Sequence, residues 1–269
     1  MKLCVIGGAG ARSAFLTKSL VKSTRDIRVD HIVLLDNDQQ KLKTYGEISR
    51  ELARRLDPDL TFEVTSDARA ALTGVDYIIT TIRAGEDAGR LFDEQTCLAH
   101  GVLGQETTGA GGFAMAIRSV PTLVYYCTLA REVANPGHLI FNFTNPSGII
   151  TQALRSKGFD NVYGICDAPS GFIKQLEEIL EIPYGTLDIE CYGLNHLSWF
   201  RNAKVNGRDV QRELLDNPRT YEHSEMRLFT REMARISGDC MLNEYLYFYY
   251  RRVKSLSMIQ KADHPRGEM

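Results

Sequence analysis

Val5-Ile6-Gly7-Gly8-Ala9-Gly10, entered from Lys2-Leu3-Cys4 and left through Ala11-Arg12-Ser13, is the stretch that decides the fold. An apolar run that ends directly in glycines reads as a parallel strand buried on both faces. Gly8-Ala9-Gly10 keeps the first two glycines of the dinucleotide fingerprint, and Ser13 stands where the third would be. A turn without side chains lets backbone N–H groups and a helix N-terminus approach a pyrophosphate. Asp36 ends the next apolar run, His31–Leu35. A carboxylate there accepts the ribose hydroxyls and repels a 2′-phosphate, which favours NAD over NADP. Gly7, Gly8, Gly10 and Asp36 are therefore the candidate cofactor-binding residues. The plain alternative is a tight strand-to-helix turn with no ligand.

Working outward, helical spacing covers about 13–22 and 40–56, the latter with Leu42, Tyr45, Ile48, Leu52 and Leu56 on one stripe. Strands are expected at 61–65, 77–82, 139–143 and 162–165, with a long helix over 113–134. Strands alternating with helices predict an α/β fold, a Rossmann-type doubly wound sheet. Beyond residue 165 the character changes to a second α+β region. Strands are expected at 187–192 and 199–205, Asn206-Gly207 as a hairpin turn, and helices over 222–236 and 244–262. The division read from sequence is a nucleotide domain at 1–165 and a substrate and metal domain at 166–269, which ends without a closing element as if truncated.

A formal net charge of −2 leaves no electrostatic footprint for nucleic acid or an anionic membrane. The N-terminus lacks a signal-peptide pattern and no apolar run approaches the ~20 residues of a bilayer span, so a cytoplasmic protein is expected. The six cysteines form no C-x-x-C pair, and most read as buried free thiols. Asn142-Phe143-Thr144 matches the glycosylation pattern by accident.

Three later pieces carry chemistry: Gly164-Ile165-Cys166-Asp167-Ala168-Pro169, Gly193-Leu194-Asn195-His196 and Asn243-Glu244-Tyr245-Leu246. Cys166 follows a strand and so belongs at the carboxyl edge of the sheet, where ligands of open α/β sheets bind. A Cys and a His with no further ligand make an incomplete zinc site, with positions left for substrate oxygens and water. Taken alone, a buried free cysteine and a satisfied core histidine are the simpler reading. Tyr245 with Tyr247, Tyr249 and Tyr250 reads equally as an aromatic core stripe.

At these residues the chain resembles glycoside hydrolase family 4, the NAD- and Mn²⁺-dependent glycosidases, which depart from two-carboxylate glycoside hydrolysis. The resemblance extends through Asp93-Glu94-Gln95, Gly104-Gln105-Glu106-Thr107, Gly109-Ala110-Gly111-Gly112 and Asn142-Phe143-Thr144-Asn145-Pro146-Ser147-Gly148 in the family's order. It implies a lactate/malate dehydrogenase-like fold, with NAD and Mn²⁺ or another divalent metal as cofactors. Cys166 and His196 would hold the metal, and Tyr245 would take the proton from sugar C2. Glu106 would raise the basicity of Tyr245, and Asp167 would protonate the leaving oxygen. Asn145 would bind sugar hydroxyls, while Arg90 and Arg266 would grip the 6-phosphate. The implied partner is a phosphorylated sugar, and a homo-oligomer is implied by kin. The implied reaction is hydrolysis of 6-phospho-β-glucosides by oxidation, elimination, addition and reduction. The turn departs from the family's Gly-Gly-Gly-Ser. Cys166-Asp167-Ala168-Pro169 leans toward the phospho-α-glucosidases, whereas the 141–148 segment and Val205-Asn206-Gly207 lean toward the β enzymes. Competing readings are a 6-phospho-α-glucosidase, a 2-hydroxy-acid dehydrogenase with net NADH release, and an inactive NAD-binding fragment.

Overall fold

In the computed structural model, which describes residues 1–261, the run Lys2–Ile6 forms strand β1. It lies between β2 (His31–Leu35) and β4 (Tyr77–Thr80), parallel to both. With β3 (Thr61–Thr65), β5 (Leu139–Asn142) and β6 (Val162–Gly164) it makes a six-stranded parallel sheet in the order β3-β2-β1-β4-β5-β6. The chain fills one side of β1 and then the other, so the strand order reverses beside it.

Successive side chains of a strand point to opposite faces, and here both faces are covered. Leu3 and Val5 pack with Ile32, Leu34, Val21 and Ala53. Cys4 and Ile6 pack with Val33, Leu35, Leu123, Cys127 and Ile150 on the other face. Each such apolar side chain contributes roughly 1.5–3 kcal/mol by leaving water. A run apolar at every position is what a strand buried on both sides needs.

The helix after β1 starts at Ser13, as expected, and runs to Ile27. The stripe at 40–56 is corrected. The segment is a short helix Gln39–Lys41, a π-helical turn Leu42–Gly46 and a helix Glu47–Leu56. The buried line is Leu42, Gly46, Ser49 and Ala53, which keeps ordinary helical spacing but runs mostly through small residues. Tyr45, Ile48 and Leu56 are exposed. A Cβ on Gly46 would lie 2.5 Å from Val64 Cγ1, so the close approach of this turn to β3 requires glycine.

The helix expected at 113–134 starts one turn earlier and spans Gly109–Val133. By length and apolar composition it reaches a membrane span, which the sequence reading did not anticipate. Leu123, Cys127 and Ala130 on it are core residues, and Arg118 Nε donates to Ala84 O.

The chain divides into two compact units, Met1–Arg90 with Phe113–Ile165, and Leu91–Gly112 with the chain from Cys166 onward. Residues 91–112, which the sequence division put in the nucleotide region, group with the second unit. That unit is built on the antiparallel hairpin β7 (Leu187–Leu194) and β8 (Leu197–Val205), extended by β9 (Arg208–Asp209) and β10 (Met241–Leu242). Asn206 and Gly207 both have positive φ, 50° and 80°, as a two-residue hairpin turn requires. Its core gathers Phe172 of the helix Ala168–Leu180, edge-to-face with Phe200 of β8, together with Leu214, Met226, Leu242 and Phe248.

Two further helix expectations are corrected. In place of one helix over 222–236 there is a 3-10 turn Glu225–Leu228 and a helix Arg231–Ile236. Ser224 and Thr230 each turn a side-chain oxygen onto a backbone N–H two or three residues on, starting a separate element. The region from 244 is likewise two helices, Tyr245–Tyr250 and Arg252–Gln260, parted at Arg251 (φ −122°, ψ 41°); Ala262 lies outside the described residues.

All six cysteines are free thiols. Burial pushes Cys4 and Cys127 up to about 12, which leaves them inert. Asn142 is fully buried, so the glycosylation match is not an acceptor in the folded chain.

Candidate active site

In the first unit the glycine turn is folded back on the sheet. Gly7 N and Gly8 N both donate to Leu35 O, at 2.9 and 3.0 Å. Gly7 has φ +83°, and a Cβ there would stand 2.7 Å from Thr81 O. Gly10 differs: nothing lies within 4 Å of the position its Cβ would take. Gly7 and Gly8 are thus demanded by packing, and Gly10 opens the cradle. The helix Ser13–Ile27 that follows has no side-chain cap and no acid in its first turn; Ser13 N is taken by Gly10 O, and the N-terminal end of the helix still favours an anion. Arg12, at its N-cap, is exposed. Asp36 accepts from Ala9 N through Oδ2 and from Asp38 N through Oδ1, both at 3.1 Å, so it braces the turn as well as ending β2. Each oxygen keeps a lone pair for a hydroxyl donor. These features fit a dinucleotide.

At the ends of β4 and β5 a buried polar network fixes the loop that carries Asn145. Thr80 Oγ1 donates to Asn142 Oδ1 at 2.8 Å, and Asn142 Nδ2 reaches Thr144 O and Thr151 Oγ1. Ile82 N donates to Thr144 Oγ1, and Ser147 Oγ to Asn142 O. Asn145, half-buried, precedes Pro146 through a cis peptide bond. Arg90, on the helix Glu86–Ala99, is also half-buried.

In the second unit the thiol, imidazole and phenol come together. Cys166 Sγ lies 3.7 Å from His196 Nε2 and 3.9 Å from Asp167 Oδ1. The His196 ring stacks on Tyr245, with centroids 4.8 Å apart and planes 22° from parallel. Local folding explains the aim. Asn195 and His196 are the two-residue tip of the β7–β8 hairpin, with Leu194 paired to Leu197. His196 holds φ 62°, and Gly193 at φ +118° lies against Leu197 O and the Trp199 ring, where no side chain fits. Burial pushes the Cys166 thiol up; the Ala168 N–H and the Asn195 side chain oppose this by favouring the thiolate.

The pair suits a divalent cation. Typical metal–sulfur and metal–nitrogen bonds at a tetrahedral angle separate the two donors by about 3.5 Å. Among the described residues no three His, Cys, Asp or Glu side chains converge as a metal-binding group. The protein would therefore supply two donors and leave the remaining positions to oxygens from outside.

Glu106 lies in the turn before the helix Gly109–Val133. That turn is tied to the tyrosine helix, because Tyr249 OH donates to Thr108 Oγ1 at 2.8 Å and Thr108 Oγ1 in turn to Gln105 Oε1. Arg266 lies outside the described residues. The described structure thus brings Cys166, Asp167, His196 and Tyr245 together in one unit. Gly7, Gly8, Gly10, Asp36, Arg90 and Asn145 belong to the other. Sequence reasoning missed the Thr80–Asn142–Thr144 network, the Tyr249–Thr108 bond and Glu225. The alternation in β4 and β5 could have flagged Thr80 and Asn142 as polar residues at inward positions, but nothing local marks Glu225.

Comparison with known proteins then decides the family. The model of the family 4 glycosyl hydrolases matches residues 2–182, and that of the family's C-terminal domain matches 191–269. The chain belongs to glycosyl hydrolase family 4. Within the family it is 35% identical over 219 residues to a 6-phospho-beta-glucosidase of Thermotoga maritima, covering 81% of this chain and 51% of the relative. It is 30% identical over 267 residues to a phospho-alpha-glucosidase of Clostridium acetobutylicum, covering 92% and 59%. The chain therefore spans less than two thirds of either relative. The T. maritima 6-phospho-beta glucosidase, solved with manganese, NAD⁺ and glucose-6-phosphate, superposes with a TM-score of 0.87 at 31% identity, over 98% of this chain and 62% of that one. A malate dehydrogenase of Salinibacter ruber shares the fold, with a TM-score of 0.59 at 18% identity over 82% of this chain and 64% of that one. The dehydrogenase-like fold expected of this family 4 chain is thereby established.

Proposed function

We propose that this family 4 chain hydrolyses 6-phospho-β-glucosides with NAD and a divalent metal, Mn²⁺ in the first instance. The observation that carries the reading is the convergence of Cys166 Sγ, His196 Nε2 and the Tyr245 ring in one cluster. The open Gly10 cradle with Asp36 beside it supports the cofactor. The relatives' names and the NAD and manganese in a neighbour's crystal support the substrate class.

When bound, NAD⁺ supplies a reversible hydride acceptor and the metal a Lewis acid for the sugar oxygens. The residues of the chain do the remaining work. Cys166 and His196 hold the ion. Tyr245 takes the proton from sugar C2, a role that suits a phenol whose pKa falls beside a cation. Glu106 raises the basicity of that phenol, and Asp167 delivers a proton to the leaving oxygen. Asn145 binds sugar hydroxyls, and Arg90 with Arg266 holds the phosphate. A homo-oligomer in the cytoplasm belongs to the same reading.

The Cys166-Asp167-Ala168-Pro169 sequence favours a second reading, the α-linked substrate. One assay separates the possibilities: chromogenic 6-phospho-β- and 6-phospho-α-glucosides, each with and without NAD⁺, Mn²⁺ and a reductant. Turnover of the β substrate that needs both cofactors and leaves no net NADH is expected. NADH accumulating from a hydroxy acid, or cofactor binding without turnover on either anomer, would replace this reading.

A further inference from the structure

Glu225 has no part in the chemistry above, yet its side chain lies at the meeting of the segments that build the cluster. Its Oε2 accepts from Asn243 Nδ2 at 2.7 Å and from Glu244 N at 3.2 Å. Asn243, 3% exposed, turns its Oδ1 to Tyr245 N at 3.1 Å. Its own N–H donates to Ser198 O, on the hairpin whose tip is His196. The backbone N–H of Glu225 is held at 3.0 Å by Gln175 Oε1, on the helix Ala168–Leu180 that begins just after Cys166 and Asp167. Arg227 pairs with Glu244 at 2.8 Å on the flank.

The orientation of the Asn243 amide follows from these partners. Oε2 of Glu225, which already accepts from Glu244 N, faces the amide as an acceptor whether the carboxyl is ionised or carries a proton on Oε1, so it selects the NH₂ end and leaves the oxygen for the Tyr245 N–H. Turned the other way, the amide would set two acceptors against each other at Glu225 and two donors against each other at Tyr245. Leaving such groups unpaired in a buried place is costly.

We propose that Glu225 is a positioning residue for Tyr245: by orienting Asn243 it fixes the first turn of Tyr245–Tyr250 and so holds the phenol in its stack on His196. The proposal rests on the reading of Tyr245 as the base. A phenol displaced by a fraction of an ångström still leaves the ion and the sugar bound, so proton removal is affected and binding is spared.

The test compares Glu225→Leu and Glu225→Gln in the whole chain. Glutamine keeps an oxygen that accepts both donors; leucine keeps the bulk and loses the acceptor. Glu225→Leu is expected to lower kcat about ten- to hundredfold, with KM and Mn²⁺ affinity within about threefold of the parent. Glu225→Gln should stay within about threefold in all three. Amide hydrogen exchange gives a second readout that needs no turnover: the Tyr245 and Leu246 amides should exchange about tenfold faster in the leucine variant. Should Glu225→Leu fail to fold, Glu225→Met, which also lacks the acceptor and keeps the length of the side chain, takes its place with the same expectations. A folded leucine variant with parental kcat and unchanged amide exchange overturns the proposal. So does parallel loss of kcat, KM and Mn²⁺ affinity, or a glutamine variant as damaged as leucine. If the parent turns over neither anomer the functional reading fails, and the exchange rates still decide whether Glu225 positions Tyr245.

Discussion

His196 sits at φ 62°, a region that costs a non-glycine residue about 1–2 kcal/mol. Its stack on Tyr245 returns roughly 0.5–1.5 kcal/mol, so strain and contact nearly cancel. His196→Gly, which relieves the first and removes the second, is expected to melt within about 2–4 °C of the parent. The rise in melting temperature on adding Mn²⁺ should disappear with it; a retained rise would mean that the imidazole is not a ligand. Glu225 offers a second residue-scale prediction. Burial raises its carboxyl from 4.5 to about 7, helped by the charge of Glu244 and opposed by the Glu244 N–H, Arg227 and Asn243. Burial raises the nearby Cys191 thiol, opposed by the Ser198 hydroxyl and helped by the charge of Glu225. Below 4.5 the folded and unfolded chains both carry the proton. Between 4.5 and about 7 the unfolded chain releases it first, so this group's contribution to stability falls as pH rises and is lost above about 7. Melting temperatures from pH 4 to pH 8 should show Glu225→Gln gaining on the parent as pH rises, and parallel curves would refute the shift.

Elements succeed or fail on how they meet their neighbours, and the π turn Leu42–Gly46 is the clearest case. Alanine at Gly46 would improve helix propensity by about 1 kcal/mol. Its Cβ would also sit 2.5 Å from Val64 Cγ1, and overpacking of that kind costs typically 1–3 kcal/mol. The clash outweighs the propensity, so Gly46→Ala should lower the urea midpoint, and Val64→Ala in the same chain should recover part of the loss. Simple additivity of the two substitutions would argue against the contact. The sequence stripe failed here because it followed the large apolar residues, whereas the buried line keeps helical spacing through Gly46, Ser49 and Ala53. Small residues on the inward face carry little hydrophobic signal, so the close packing against β3 was not legible. The helix expected over 222–236 failed for a legible reason: Ser224 and Thr230 were there to be read as caps.

For the whole molecule, the strand order reverses beside β1, and the glycine turn follows directly from that strand. A ligand that binds only the folded chain stabilises it by mass action, about 2.7 kcal/mol at a hundred times its dissociation constant. NAD⁺ at that excess should raise the melting temperature by about 5–10 °C. NADP⁺ should do less, because Asp36 meets the 2′-phosphate with a like charge. Equal shifts would remove Asp36 from the ribose site.

What residue order determined by itself was the parallel sheet, its glycine turn with Asp36, and the identity of the thiol, imidazole and phenol. Each is written locally, as a run apolar at every position or as a short motif. Tertiary structure alone decided that Cys166 Sγ and His196 Nε2, thirty positions apart, stand 3.7 Å from each other. It also decided that Glu225 reaches the amide of Asn243. Those distances follow from hairpin register and core packing between segments far apart in the chain, which no local pattern encodes.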